Sequence, residues 1–331
     1  SLTSEEIEHI VAQVSGGAPN IQDIYPLAPM QEGILFHHMM SDQSDPYVIP
    51  MLFKIEDRAT VTKFVDALQF SIDRHDVLRT AFFWDELSVP VQVVCRHASL
   101  PVTWLKLDSG QDIEAEMYAR CAMDRQWINP GQAPLVQLSI ATDETEGYFF
   151  VLLQMHHLID DATSLKILQT EIGKHLDGQI DNTTRPLYRE FVAHALNQAK
   201  ENDATTFFSR MLGDVEESTV PFNLVGVLGD GSRAVEIRAQ VSDAVAHQLR
   251  QVAKEAAISP AALFHTAWAL VVSGCSGLDD VVFGTVMSGR LHGMTGAESM
   301  LGMFINTLPL RVKLQGCSVV DLVRQVQDSL L

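Results

Sequence analysis

The apolar run Tyr148-Phe149-Phe150-Val151-Leu152-Leu153-Gln154 constrains this 331-residue chain more than any other segment. A run of this length and composition reads as a buried strand. It leads directly into Met155-His156-His157-Leu158-Ile159-Asp160-Asp161-Ala162-Thr163-Ser164, and a helix is predicted over 164–176. A buried strand that ends in two adjacent histidines, with a carboxylate four residues past the second, has the makings of a catalytic loop. Histidine can take and return a proton near neutral pH. A tight turn would bring Asp161 beneath His157. Spacing of this kind is not specific by itself.

The rest of the chain alternates strands and helices, which favours a two-lobed α/β architecture. A capping box at Thr3-Ser4-Glu5-Glu6 opens a short helix, read as a linker outside the core and broken by Gly16-Gly17. An extended stretch over 23–29 precedes a helix over about 30–40, and Thr60 is read as the cap of the next helix. Strands are expected at 81–84, 89–95, 102–107, 135–141 and 148–155, with a helix near 113–127. Past the polar stretch 177–185 come helices at 191–199, 204–212, 243–256 and 260–273. Strands are read at 234–241, 281–286 and 308–314, and a helix from Val319. The domains are therefore a linker helix over 1–20, an N-terminal lobe over 21–178 and a C-terminal lobe over 179–331.

Lys and Arg total 23 against 42 Asp and Glu, a net charge of −19. Such a surface repels nucleic-acid phosphates. No apolar run approaches the ~20 residues of a membrane span, and no signal peptide is evident, so a cytoplasmic protein is expected. Cys95, Cys121, Cys275 and Cys317 lie singly and read as reduced, buried thiols rather than zinc ligands. Trp84, Trp104, Trp127 and Trp268 read as core, as do Met39 and Met40.

Five stretches together resemble the condensation domains of nonribosomal peptide synthetases. They are the stretches Tyr25 to Phe36, Arg74 to Phe82, Met155 to Ser164, Tyr188 to Phe191, and Leu301 to Thr307. The third matches the family's His-His-x-x-x-Asp-Gly core except at Ala162. Two further family motifs are absent, so the C-terminal lobe reads as incomplete. The resemblance implies two lobes like chloramphenicol acetyltransferase forming a V, with the active site in the channel between them. It implies peptide-bond formation between a donor acyl or peptidyl thioester and an acceptor aminoacyl thioester. Upstream and downstream carrier proteins supply 4'-phosphopantetheine covalently, and no metal or other cofactor is bound directly. An adenylation domain would be adjacent; nucleic acid and membrane would not be partners.

The same resemblance sets His157 beside the attacking amine, as a base or as a positioning group. His156 would pack behind the loop, and Asp161 would pair with an arginine. Arg290 is the candidate partner and Arg79 the alternative, with Ser164 in the supporting loop. Glycine tolerates backbone conformations that alanine resists, so Ala162 is the feature that favours an inactive, carrier-docking module. A second segment, His37-His38-Met39-Met40-Ser41-Asp42-Gln43-Ser44-Asp45, resembles the His-His-[Ile/Leu]-x-x-x-x-Gly-Asp signature of dual epimerisation/condensation domains. Met39 and Ser44 depart from it. His37, His38 and Asp45 are thus expected to be associated with epimerisation of the donor α-carbon, the alternative being a plain condensation domain.

Overall fold

The structure, a computed structural model, describes residues 2–40, 44–107, 112–179, 183–225, 237–291, 294 and 296–330. Ser41 to Gln43 of the second histidine segment, Ile180 to Asn182 of the polar stretch and Gly226 to Glu236 lie outside them, and the strand expected at 234–241 falls partly there; its described residues, 237–241, form no strand. The chain forms two compact units. One runs to Lys200 and takes in Ser288–Asn306; the other takes the described residues between Glu201 and Met287 and from Thr307 onward.

In chain order the first unit contains α1 (Ser4–Gln13), β1 (Ile21–Pro26), α2 (Pro29–Met39), β2 (Val48–Ile55), α3 (Arg58–Arg74), β3 (Thr80–Phe83), β4 (Val91–Cys95), β5 (Val102–Leu105), α4 (Ile113–Ala119), β6 (Val136–Asp143), β7 (Tyr148–His156), α5 (Ala162–Leu176) and α6 (Tyr188–Glu201). β1, β4 and β3 form one antiparallel sheet, and a second has the order β2-β7-β6-β5. In the second sheet β7 is central, antiparallel to both β2 and β6, while β5 runs parallel to β6. Val151 to Met155 are buried there, as the apolar run requires.

β2 was not legible beforehand. Its Pro50 opposes Gln154 of β7 at the sheet edge, and an edge strand tolerates the missing N–H. Asp57, not Thr60, caps α3, accepting from the Thr60 N–H at 2.8 Å. The predicted helix over 113–127 stops at Ala119 and resumes as a short 3-10 turn at Met123–Arg125.

α1 keeps its expected capping box, but it is not outside a core. Ile10 and Val14 are buried against Phe83, Val91 and Val93, and the Glu6 carboxylate accepts the Ser88 N–H at 2.6 Å. α6 extends the first unit past the polar stretch 177–185 because Tyr188, Phe191 and Val192 enter the main core.

The second unit contains α7 (Ala204–Leu212), α8 (Asp243–Glu255), α9 (Pro260–Ser276), β8 (Asp280–Ser288), paired with β9 (Ile305–Lys313), and α10 (Val319–Ser329). Its core joins Ala269, Val272, Val281, Leu310, Val312 and Val326.

Trp104, Trp127 and Trp268 are exposed, as are Met39 and Met40, contrary to the core reading. An apolar neighbourhood in sequence does not fix which face of an element turns inward. Of the cysteines, all free, only Cys95 is buried. Among the described residues no single helix is long and apolar enough to cross a membrane.

Candidate active site

Leu158 and Ile159 anchor the loop after β7; both are fully buried in the main core. The Ile159 N–H returns to the His156 carbonyl at 3.1 Å, and Asp161 caps α5 by accepting the Ser164 N–H at 2.7 Å. Gln31 of α2 braces the turn, donating to the Leu158 carbonyl at 2.7 Å while its oxygen accepts from Ala28 N–H and from Gln92. Between these anchors the His157 ring is 33 % exposed, while the His156 side chain is fully buried.

The turn does bring a carboxylate to His157, but it is Asp160 rather than Asp161. His157 Nδ1 lies 3.1 Å from Asp160 Oδ1, and Asp160 is buried. An Nδ1–H directed at a carboxylate leaves the Nε2 lone pair as the ring's proton-accepting position. Burial opposes the charged imidazolium, yet the hydrogen bond and charge of Asp160 prevail and hold the His157 pKa above its ordinary 6.5. The His157 main-chain N–H donates to the Tyr47 carbonyl at 2.8 Å.

Asp161 turns the other way. Its Oδ1 accepts from Arg290 Nη2 at 3.0 Å, and its Oδ2 accepts the Phe304 N–H at 3.3 Å. Arg290 also donates to the Ala297 and Met300 carbonyls at 2.6 and 2.7 Å and lies 3.8 Å over the Phe304 ring. Ser164 Oγ donates to the Gly302 carbonyl at 2.7 Å and accepts from Gly302 N–H and Arg290. Arg79, the other candidate partner, is instead spent on the carbonyls of Ile72, Cys95 and Arg96 and on Gln22.

Two of the motifs support this network. The Tyr188 ring occupies the space that a Cβ on Gly302 would need, 2.2 Å away, and Gly302 has φ +146°, so only glycine fits there. Tyr188 also donates its hydroxyl to the Met303 carbonyl at 2.6 Å and its N–H to Asp76 at 3.0 Å. Ala162, by contrast, is the exposed first residue of α5 and has no left-handed backbone. Alanine adopts this exposed, ordinary backbone position without strain.

The second histidine segment divides. His37 is exposed, its ring 6.0 Å from that of Tyr47. His38 is buried at the end of α2, its ring 4.6 Å from that of Trp127, and its Nδ1 pairs with Asp45 Oδ2. The same Oδ2 accepts from His156 Nε2 at 2.9 Å, and Oδ1 accepts the Tyr47 N–H at 2.8 Å. Burial would raise the Asp45 carboxyl, but the His156 and His38 donors hold it well below the usual carboxylate range. Burial lowers the His156 pKa against the raising influence of Asp45, which disfavours the charged ring.

Sequence reading missed Asp160, Tyr47 and the role of Gln31. The i,i+3 spacing of His157 and Asp160 was the available signal for the first; nothing local marked Tyr47. His38, Asp45 and His156 are also the residues, among those described, whose side chains could converge on a metal ion.

A partly exposed imidazole, paired with a buried carboxylate just past the end of a central strand, is an arrangement able to take and return a proton. The comparisons make this specific. Residues 21–331 match the family model described as Condensation domain, and the chain belongs to that family. It is 40% identical to Malpinin synthetase and to Malpibaldin synthetase of Mortierella alpina, in each case over 99% of this chain. It spans only 4% and 6% of those two proteins. Among solved structures it is similar to holo-AB3403, a four-domain nonribosomal peptide synthetase bound to AMP and glycine, with 16% identity and a TM-score of 0.77 over 94% of this chain and 24% of that one. That identity establishes the shared α/β fold alone.

Proposed function

We propose that this chain is the condensation domain of a nonribosomal peptide synthetase and joins a donor acyl or peptidyl thioester to an acceptor aminoacyl thioester. Both substrates arrive on the 4'-phosphopantetheine arms of carrier proteins, and the domain itself supplies no cofactor. The reading carries with it the two V-forming lobes of the family, an adjacent adenylation domain and a cytoplasmic setting. The observation that carries it is the His157–Asp160 pair at the loop of the family's core motif.

In this reading the acceptor amine attacks the donor thioester carbonyl, and His157 Nε2 takes the amine proton as the C–N bond forms. The C–S bond then breaks and the imidazolium gives the proton to the departing thiolate, so the products are the amide on the acceptor carrier and a free thiol on the donor carrier, with His157 neutral again. Positive charge on His157 during the step is stabilised by Asp160. Such proton transfer is worth roughly 10²–10⁴-fold, and holding two tethered substrates together contributes at least as much.

The domain also inverts the donor α-carbon before transfer. Support comes from the His37–Asp45 segment, whose second histidine and terminal aspartate reach the same loop. His157 removes the α-proton, and a proton from solvent reaches the opposite face of the enolate while the imidazolium gives its own proton back to solvent. In D2O, with an L-aminoacyl donor carrier and no acceptor, the α-hydrogen exchanges for deuterium and D-configured donor accumulates. His157→Ala abolishes both. Absence of exchange alongside undiminished dipeptide formation would establish the plain condensation alternative, and absence of both with carrier binding intact would establish the docking module.

A further inference from the structure

The carboxylate of Asp45 pairs with a histidine 7 residues before it in the chain and with another 111 residues after it. Its Oδ2 receives His38 Nδ1–H from the end of α2 and His156 Nε2–H from the end of β7, and all three side chains are buried. The protonation of His156 is fixed from the other side of its ring. The Leu158 main-chain N–H points at Nδ1 at 3.1 Å, so Nδ1 accepts and Nε2 carries the proton. A cation shared by the three residues would need the lone pair of Nε2, which this arrangement denies it. The cluster is a proton-bearing link rather than a metal centre.

Asp45 is also linked to the main chain of His157, by way of Tyr47. Its Oδ1 holds the Tyr47 N–H, its main-chain carbonyl accepts the Val48 N–H at 3.1 Å, and the Tyr47 carbonyl accepts the His157 N–H at 2.8 Å. One residue therefore orients the ring of His156 and sets the turn that fixes the main chain of His157.

We infer that Asp45 is a positioning residue for His157, tying the second histidine segment to the catalytic loop through a buried histidine–carboxylate–histidine link. His38 serves as a donor in that link, not as a base in epimerisation. The inference rests on the proposed role of His157, and it has a distinctive consequence. Inversion and bond formation share His157, so loss of the link lowers both in parallel, whereas a base lost from the inversion step alone would spare bond formation.

The experiment uses the domain together with its flanking carrier domains. Asp45→Asn preserves shape but presents an N–H where a histidine already donates. It is expected to lower kcat for α-proton exchange and for dipeptide formation alike, by about 10²-fold as for a small misplacement of a catalytic group, with KM for the donor carrier little changed. His38→Asn keeps an N–H at the place of Nδ1 and retains most activity, while His38→Ala loses about tenfold in both reactions. ¹⁵N spectra show His156 as the Nε2–H form in the wild type and lose that signature in Asp45→Asn. Should Asp45→Asn fail to fold, the two His38 variants and the wild-type spectrum carry the test. Loss of inversion alone, equal loss in His38→Asn and His38→Ala, unchanged rates in Asp45→Asn, or one tightly bound zinc per wild-type chain would each overturn the inference. His157→Ala separates the two levels: if it leaves both reactions intact, the proposed role of His157 has failed, and not merely its link to Asp45.

Discussion

Replacing Asp161 with alanine removes the carboxylate that holds the loop and the arginine together. Its side chain is 2 % exposed and that of Arg290 7 %, so the guanidinium would be left in the interior without its counter-charge. Breaking a buried pair by removing one partner costs ~3–5 kcal/mol, and losing an N-cap costs about 1 kcal/mol. The two do not simply add, because the same Oδ1 serves Arg290 and the Ser164 N–H. Arg290 keeps the Ala297 and Met300 carbonyls and the Phe304 ring, which softens the loss. A net ~4 kcal/mol is expected. For a unit of this size, at ~2–4 °C per kcal/mol, the midpoint of thermal unfolding falls by roughly 8–16 °C. Tryptophan fluorescence reports it well, because Trp84, Trp104 and Trp127 belong to the first unit. The Asp161→Ala/Arg290→Ala double variant should be less damaged than the sum of the single variants, by ~2–3 kcal/mol. An Asp161→Ala protein that melts within about 2 °C of wild type yet forms no dipeptide would refute this reasoning, because the carboxylate would then act in the chemistry itself.

The remaining expectations concern the same loop and its supports. If His157 is the base proposed above, it works only when neutral, and its pKa is raised above the ordinary 6.5, so kcat/KM should rise with pH through a midpoint above that value. Asp160→Asn removes the raising influence, so the midpoint should move down; an unmoved profile would mean that another group titrates. Gly302→Ala, forced against the Tyr188 ring at positive φ, should lower stability by at least the ~1–3 kcal/mol of backbone strain, read by urea denaturation. Ala162→Gly should leave turnover within about threefold, since the site already suits either residue, and cost at most ~1 kcal/mol of helix stability. A large gain in turnover would show that the methyl group hinders the reaction.

The strand, turn and helix around His157 were legible because each has a local cause. An unbroken apolar run makes β7, two buried residues pin the turn, and an aspartate caps α5. The match of Asp161 to Arg290 came from the resemblance and the geometry agrees with it. Which of two adjacent carboxylates meets His157 was not legible. A one-residue difference in a turn reverses the direction of a side chain, and only the cap at Asp161 commits Asp160 to His157. Asp45 was singled out, but its pairing with His156 was not, for a different reason: the two are distant in sequence, and only the β2–β7 register brings them together. β2 itself was hidden by Pro50, whose cost vanishes at a sheet edge.

The account is tested most directly by loading the upstream carrier with an L-aminoacyl thioester and the downstream carrier with an acceptor, then determining the mass and chirality of what accumulates on each. A D–L dipeptide on the downstream carrier, formed without a separate epimerase and lost in His157→Ala, is the predicted result. An L–L dipeptide would contradict the inversion, and no dipeptide from either donor isomer would contradict condensation at His157.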